Sequence, residues 1–265
     1  MKIIINADDL GYSDKENRAI FSLLDQKKLT STTIMTNAPA FEKAASEVLL
    51  RQSDKKISFG IHLNLTEFTP LTRSNIFEEL GHIDTSGKFC ASHLRSLNSV
   101  QKKAFKIACL KELEEQTQKA LDYRLSISHF DSHNHIHTRP ELLFILNKLM
   151  IRFGINKWRI TKNWYELCDK PSPVLRMKKL VWDLYLRYVC LSKTTNYFTD
   201  FISFIKTTDA NKVIVGGGRM INNQTVIELM THPGKDWSME ETAVLKTDWT
   251  RTLPFPVEFI SYNDL

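Results

Sequence analysis

The 265-residue sequence is short of the residues that staple or punctuate a chain, with four cysteines, eight prolines and nine glycines. So little glycine excludes a collagen-like repeat, and 42% apolar with 25% charged residues excludes general disorder. The cysteines (Cys90, Cys109, Cys168, Cys190) form no CxxC pair, which excludes a disulfide framework and a zinc ribbon and leaves free thiols as the expectation. Long hydrophobic runs are also missing. No window approaches the roughly 18 uncharged apolar residues of a membrane span. Lys2 is followed by only three isoleucines before Asn6, short of the roughly 7–15 apolar residues of a signal-peptide core. A cytoplasmic location is therefore expected. Strong charge of one sign is absent as well: 36 Lys and Arg against 30 Asp and Glu leave +6. That excess sits in scattered pairs such as Lys55–Lys56 and Lys102–Lys103 without an aromatic platform, so no nucleic-acid partner is expected.

Histidine is distributed unevenly. Of eight in the chain, His129, His133, His135 and His137 fall within nine residues.

Lys2–Ala7 reads as a buried strand, and Ser13 with Glu16 forms a capping box that opens a helix through about Lys28. A strand at Leu29–Thr36, a helix from Ala40 to about Gln52 and a strand at Ile57–Leu65 follow. Residues 66–98 carry Pro70, Gly81 and Gly87 and read as a long excursion, of the kind that is often functional. A helix from about Ser99 to Arg124 leads to a strand at Ile127–His137, and another helix starts at Pro140. Beyond it the pattern predicts a strand at Lys157–Thr161, a helix at Pro173–Leu191 and strands at Tyr197–Ile205 and Thr225–Met230. A helix at Glu240–Thr247 and a strand at Val257–Tyr262 complete it. Such alternation implies an α/β fold of parallel βαβ units with right-handed crossovers, and roughly seven units favour a (β/α) barrel over a doubly wound sheet.

In Ile57–Thr66 (ISFGIHLNLT) one strand face is apolar while the other carries Ser58, Gly60, His62, Asn64 and Thr66. A strand wrapped by helices should be apolar on both faces, so the polar face looks into a barrel mouth or cleft. In HFDSHNHIH, period-two alternation places His129, Asp131, His133, His135 and His137 on one face if the segment stays extended. Imidazoles two apart, about 7 Å at Cα, can share a metal, or one can ligate while the other meets substrate, and spacing does not choose between His133 and His135. NADDLG (6–11) ends the first strand with adjacent carboxylates, which repel unless a cation or a shared proton separates them. THPG (231–234) places His232 just past a strand end. Each piece alone has a plain structural explanation, such as an N-cap pair at Asp8–Asp9 or a hydrogen-bonded His62. Together they lie at C-terminal strand ends, where the active sites of parallel α/β folds gather. One carboxylate and two histidines supply the three protein ligands of a catalytic metal, leaving a carboxylate and a histidine for proton transfer. That is the arrangement of a metal-dependent amide hydrolase.

NADDLG (6–11), STTIMTN (31–37), GIHLNLT (60–66), FDSHNHIH (130–137), ELMTHPG (228–234) and ISYNDL (260–265) run nearly end to end. In these segments the chain resembles the YdjC-like carbohydrate deacetylases, a family that includes chitooligosaccharide deacetylase and the hopanoid-biosynthesis HpnK proteins. The resemblance implies a single domain over 1–265, a seven-stranded (β/α) barrel, and hydrolysis of the acetamide of an N-acetylated amino sugar with release of acetate. It implies Asp9, His62 and His133 as metal ligands, Asp8 as general base and His232 as general acid or stabiliser of the tetrahedral intermediate. His135 and His137 take substrate or outer-sphere positions, and Asn64 joins them. Arg159, in WRI after a strand end, is read as orienting sugar hydroxyls or as forming a structural ion pair. One divalent ion is implied; this ligand set suits Zn²⁺ or Co²⁺ better than Mg²⁺, although a site that keeps waters accommodates Mg²⁺. A homodimer is also implied. Two segments depart from the family: Leu175–Val189, basic and aromatic, as a covering helix or one meeting a lipid-linked or anionic glycan, and Lys212–Met220 with Gly216–Gly218. The competing readings are another metal-dependent amide or ester hydrolase and a non-catalytic carbohydrate-binding protein.

Overall fold

The computed structural model describes all residues except 91–96, 140–141, 165–171 and 210–221. The 212–220 segment singled out above therefore lies outside the described residues, as do Cys168 and the start of the helix expected at Pro140. The elements run β1 (Lys2–Leu10), α1 (Asp14–Asp25), β2 (Ser31–Ile34), α2 (Phe41–Arg51), β3 (Ser58–Leu63), α3 (Asn75–Glu79) and α4 (Ser99–Asp122). They continue with β4 (Phe130–Ser132), α5 (Leu143–Phe153), α6 (Pro173–Leu184), β5 (Tyr197–Asp200), α7 (Phe201–Asp209), β6 (Val226–Thr231), α8 (Met239–Lys246) and β7 (Glu258–Phe259).

All strand pairs are parallel, in the order β4-β3-β2-β1-β6-β5, with β7 on β1. The path opens between β4 and β5. The segment expected as a strand at Lys157–Thr161 meets β4 through a single bridge, Phe130 to Trp158, and the chain just beyond it meets β5 through another, Asn163 to Phe198, so no ladder fills the gap among the described residues. The curled parallel sheet with helices outside is the expected (β/α) barrel.

Strand alternation separates two environments. Ile3, Ile5, Ala7, Phe59, Ile61, Leu63, Ile227 and Leu229 join the large core under the helices. The inward face carries Asn6, Asp8, His62, Asp131 and Glu228, all buried. Among the described residues, Ile4, Ile260 and Tyr262, with Val226 and Leu265 packed on them, form the apolar plug there. The polar alternation in Ile57–Thr66 thus has its physical cause, because this barrel is filled with polar groups.

Ser13 caps α1 by accepting from the Lys15 amide (3.1 Å), and its hydroxyl donates to Glu16. Three further expected elements differ. The strand expected over Ile127–His137 stops at Ser132, whose hydroxyl accepts from the His137 amide (3.1 Å) and bonds His137 Nδ1 (2.6 Å). The chain between them turns back, with Asn134 and His135 left-handed at φ 51° and 50°. The strand expected at Tyr197–Ile205 ends at Asp200, whose carboxylate accepts from the Ser203 amide (2.8 Å) and starts α7. The helix expected to run through Leu191 widens into a π turn at Tyr185–Val189. Among the described residues Cys90, Cys109 and Cys190 are free thiols, and no helix is long and apolar enough to cross a membrane.

Candidate metal and catalytic site

Successive residues of a strand point to opposite faces, yet Asp8 and Asp9 reach the same place. The register between β1 and β2 shifts between Ala7 and Leu10, and Asp9 is left-handed at φ 66°. This irregularity swings Asp9 back toward the barrel mouth, a use of bulges common beside active sites. His62 Nε2 consequently lies 3.4 Å from Asp9 Oδ1 and 4.0 Å from Asp8 Oδ2.

The turn after β4 performs the matching operation on the histidines. His133 Nδ1 stands 3.0 Å from Asp9 Oδ1, and the His133 and His62 ring centroids are 5.5 Å apart. His135, beyond the left-handed pair, leaves the group and packs edge-on to Phe198 at 5.6 Å. His137 is fully buried on Ser132 and against Trp158 and Trp182. His129 is buried too, stacked on Tyr262 at 3.6 Å. The five groups expected on one face are therefore dispersed, and His133 alone of the four histidines joins Asp9 and His62.

One donor atom from each of Asp9, His62 and His133 lies within 4.8 Å of the others. Asp9 Oδ1 is buried without an aligned hydrogen bond, although the imidazole nitrogens of His62 and His133 crowd it. Buried polar atoms left in this state are expensive, and a divalent cation among these donors would satisfy them. The residues fit the metal implied by the resemblance. His62 Nδ1 is held by Asp131 Oδ1 at 2.7 Å, the carboxylate–imidazole support that directs the other ring nitrogen to a metal.

Asp8, His62 and Asp131 also converge, but a cation is already built in there. Arg159 is fully buried and bonds Asp8 through two nitrogens (2.7 and 2.6 Å), with Asp131 and Glu228 each 2.8 Å away. Arg159 therefore does not reach a sugar: its fork is consumed by three carboxylates. Tyr262 donates to the remaining oxygen of Glu228. Asn64 is likewise internal. Its side-chain Oδ1 accepts from the Thr66 and Glu67 amides (2.9 and 3.2 Å), shaping the loop that brings Glu67 Oε1 to 3.2 Å from His133 Nε2.

His232 follows β6 and lies 4.0 Å from Asp8 Oδ2, its amide bonded to Glu241 (2.6 Å) and its ring 4.8 Å from that of Trp237. Gly234 lets this loop press on α1; it sits at φ 93°, and a Cβ there would meet Glu16 Cα at 2.8 Å. The next residue, Lys235, places its ammonium 3.2 Å from Asp9 Oδ2 and over the Tyr12 ring. Asp9 is thus divided, with Oδ1 facing the imidazoles and Oδ2 facing Lys235.

Burial alone would raise Asp8, but the Arg159 guanidinium holds it well below the usual carboxylate range. Burial is likewise outweighed at Asp9, which His133 and His62 keep low. At His62 burial opposes charge, yet Asp131 and Asp8 push its pKa up to about 10. Burial lowers His232, with Asp8 opposing.

The sequence reading missed Glu67, Lys235 and Glu228. Glu228 left a signal, a charge inside an otherwise apolar strand; Lys235 and Glu67 are ordinary loop residues that tertiary structure brings in.

Residues 2–255 match the YdjC-like protein family. Over 155 residues, 58% of this chain, it is 32% identical to a carbohydrate deacetylase of Brevibacillus brevis. Over 236 residues it is 29% identical to a carbohydrate deacetylase of Listeria monocytogenes, covering 88% of this chain and 81% of the relative. The matched region spans 58% of the Brevibacillus brevis protein and 57% of a Vibrio campbellii carbohydrate deacetylase. A solved structure from Enterococcus faecalis, provisionally named for cellobiose-phosphate cleavage, superposes with TM-score 0.70 over 99% of this chain and 98% of its own, at 18% identity, and shares the fold. With the family match running through the strands, the Asp pair and the histidines alike, the chain belongs to the YdjC-like family.

Proposed function

We propose that this protein is a divalent-metal N-deacetylase acting on an N-acetylated amino sugar in an oligosaccharide or glycoconjugate. The observation that carries the reading is the division of labour between adjacent carboxylates: Asp9 stands with His62 and His133, while Asp8 is held ionised beside His232. A purely binding pocket has no use for a paired base and acid. The named carbohydrate deacetylases among its relatives support the same substrate class.

Asp9, His62 and His133 would hold the metal; when bound, it polarises the scissile carbonyl and lowers the pKa of water. Two imidazoles and one carboxylate favour Zn²⁺. Asp8 Oδ2, between His62 and His232, takes a proton from the attacking water, and Arg159 keeps that carboxylate oriented and charged. His232, kept neutral at rest by burial, receives that proton from Asp8 and passes it to the nitrogen as the C–N bond breaks. Asp131 fixes the His62 tautomer throughout.

Acetate release from N-acetylated chitooligosaccharides and lipid-linked glycans tests this reading. Activity is expected to vanish with chelator, return with Zn²⁺, and fall about 10²–10⁴-fold in Asp8→Asn. Chelator-insensitive release, or full activity in His133→Ala, overturns it.

A further inference from the structure

Helix α6 and the π turn after it place large apolar side chains in solvent. Val174, Met177 and Tyr188 are 68%, 60% and 73% exposed, and Leu180, Val181 and Leu184 are also exposed. These six recur three and four residues apart, so they form one stripe along the helix, opposite the buried Trp182 and Leu186. Scattered exposed apolar residues need no explanation, but a continuous stripe does. Arg176 and Lys178 lie at the two margins of the stripe, where long cationic side chains can rest their stems on apolar surface and extend their charges outward. The helix and π turn carry one carboxylate, Asp183, and Arg187 takes it at 2.8 Å. No acidic charge of the helix therefore opposes the two flanking cations.

We infer that this face is an interfacial docking surface for an anionic lipid bilayer. Charge complementarity selects the occupant. A bilayer carrying acidic headgroups accepts the apolar stripe between its acyl chains and pairs with both margins. A second copy laid along the same stripe would bring Arg176 and Lys178 near like charges, with no free carboxylate on the helix to answer them. The inference does not depend on the deacetylase reading, since it rests on residues outside the metal site.

Flotation with vesicles tests it, using phosphatidylcholine alone and phosphatidylcholine mixed with phosphatidylglycerol, at low and high salt. The wild-type protein is expected to float with the mixed vesicles, and less so as salt rises. Leu180→Glu with Tyr188→Glu, both exposed, should abolish flotation while leaving the melting temperature unchanged. Arg176→Glu with Lys178→Glu should weaken binding to mixed vesicles by at least tenfold, at about fivefold per surface cation. Failure to float with mixed vesicles, or flotation that survives the Leu180/Tyr188 change, overturns the proposal. So does a wild-type dimer in light scattering that the same change converts to monomer, since a second copy would then cover the stripe.

Discussion

Arg159 shows how one residue can organise a site without entering it. Its guanidinium neutralises part of three buried carboxylates, each of which also serves another group. Asp8 faces His232, Asp131 orients His62, and Glu228 accepts from Tyr262. Replacing Arg159 with Met would strand those charges in the barrel. Arg159→Met is expected to cost about 3–5 kcal/mol, the range for breaking a buried ion pair from one side. Urea unfolding reads this as a lower midpoint at unchanged slope; a midpoint equal to wild type would mean that the network contributes nothing to stability. Arg159→Lys should recover little, because a single ammonium cannot form the two-nitrogen contact to Asp8. Sequence placed Arg159 near the strand ends and left sugar contact and a structural ion pair as its two roles, of which the structure shows the ion pair. Its burial could not be read there, since the partners come from β1, β4 and β6, with Glu228 69 and Asp8 151 residues away.

Elements with strong periodicity were legible: β1, β3, β6 and the helices α1, α2 and α4 occur where hydrophobic spacing placed them, within a few residues. Two of the exceptions, the strands expected over Ile127–His137 and Tyr197–Ile205, share a physical cause, namely a side chain that bonds the local backbone and ends the element early. Ser132 does this after β4 and Asp200 after β5. In both cases the pattern beyond the stop still looks extended, so alternation alone continues the strand too far. The turn after Ser132 is what separates His133 from His135, which spacing left open. Strand β3 contains a further constraint. A Cβ on Gly60 would lie 2.5–2.7 Å from three atoms of the His129 ring, which is itself stacked on Tyr262 with the planes 7° apart. Gly60→Ala must therefore displace a ring that has no slack, at a cost of about 1–3 kcal/mol. Thermal unfolding of the variant checks this. A stabilised Gly60→Ala would show that the ring can move aside freely.

For the whole molecule, histidine burial sets the response to acid. Burial and Arg139 lower His82 to about 4, and burial with Arg159 lowers His135 to about 4, against 6.5 when solvated. His129 and His137 are pushed well below that value, chiefly by burial. A group whose pKa is depressed on folding binds its proton more readily in the unfolded chain, so stability falls as pH drops from about 6.5 to about 4. His82 alone would contribute about 3 kcal/mol at about 1.4 kcal/mol per pKa unit. His62 acts in the opposite direction. Its raised pKa contributes fully below 6.5, and that contribution is lost as pH rises through about 10. Metal-free protein is thus expected to be most stable between these limits, and urea midpoints measured from pH 4 to 10 test it. A midpoint that does not fall between pH 6.5 and 4 contradicts the buried-neutral assignment of these histidines.

Strand β1 carries the Asp pair and forms the centre of the sheet, but its edge beside β2 is completed by β7. The Met1 amino group donates to Pro256 O at 3.0 Å, a span of 255 residues, while Glu258 and Ile260 donate to Met1 O and Ile3 O. Contacts of such separation form late, because the loop they close must be ordered first. During synthesis β1 emerges long before β6 and β7, and long before the Tyr262 that meets Glu228 inside the barrel. An apolar strand bearing two adjacent carboxylates must therefore wait with its β6 edge and the Lys2–Ile3 end of its other edge unpaired, and the barrel around the candidate metal site can close only after Tyr262 has been made.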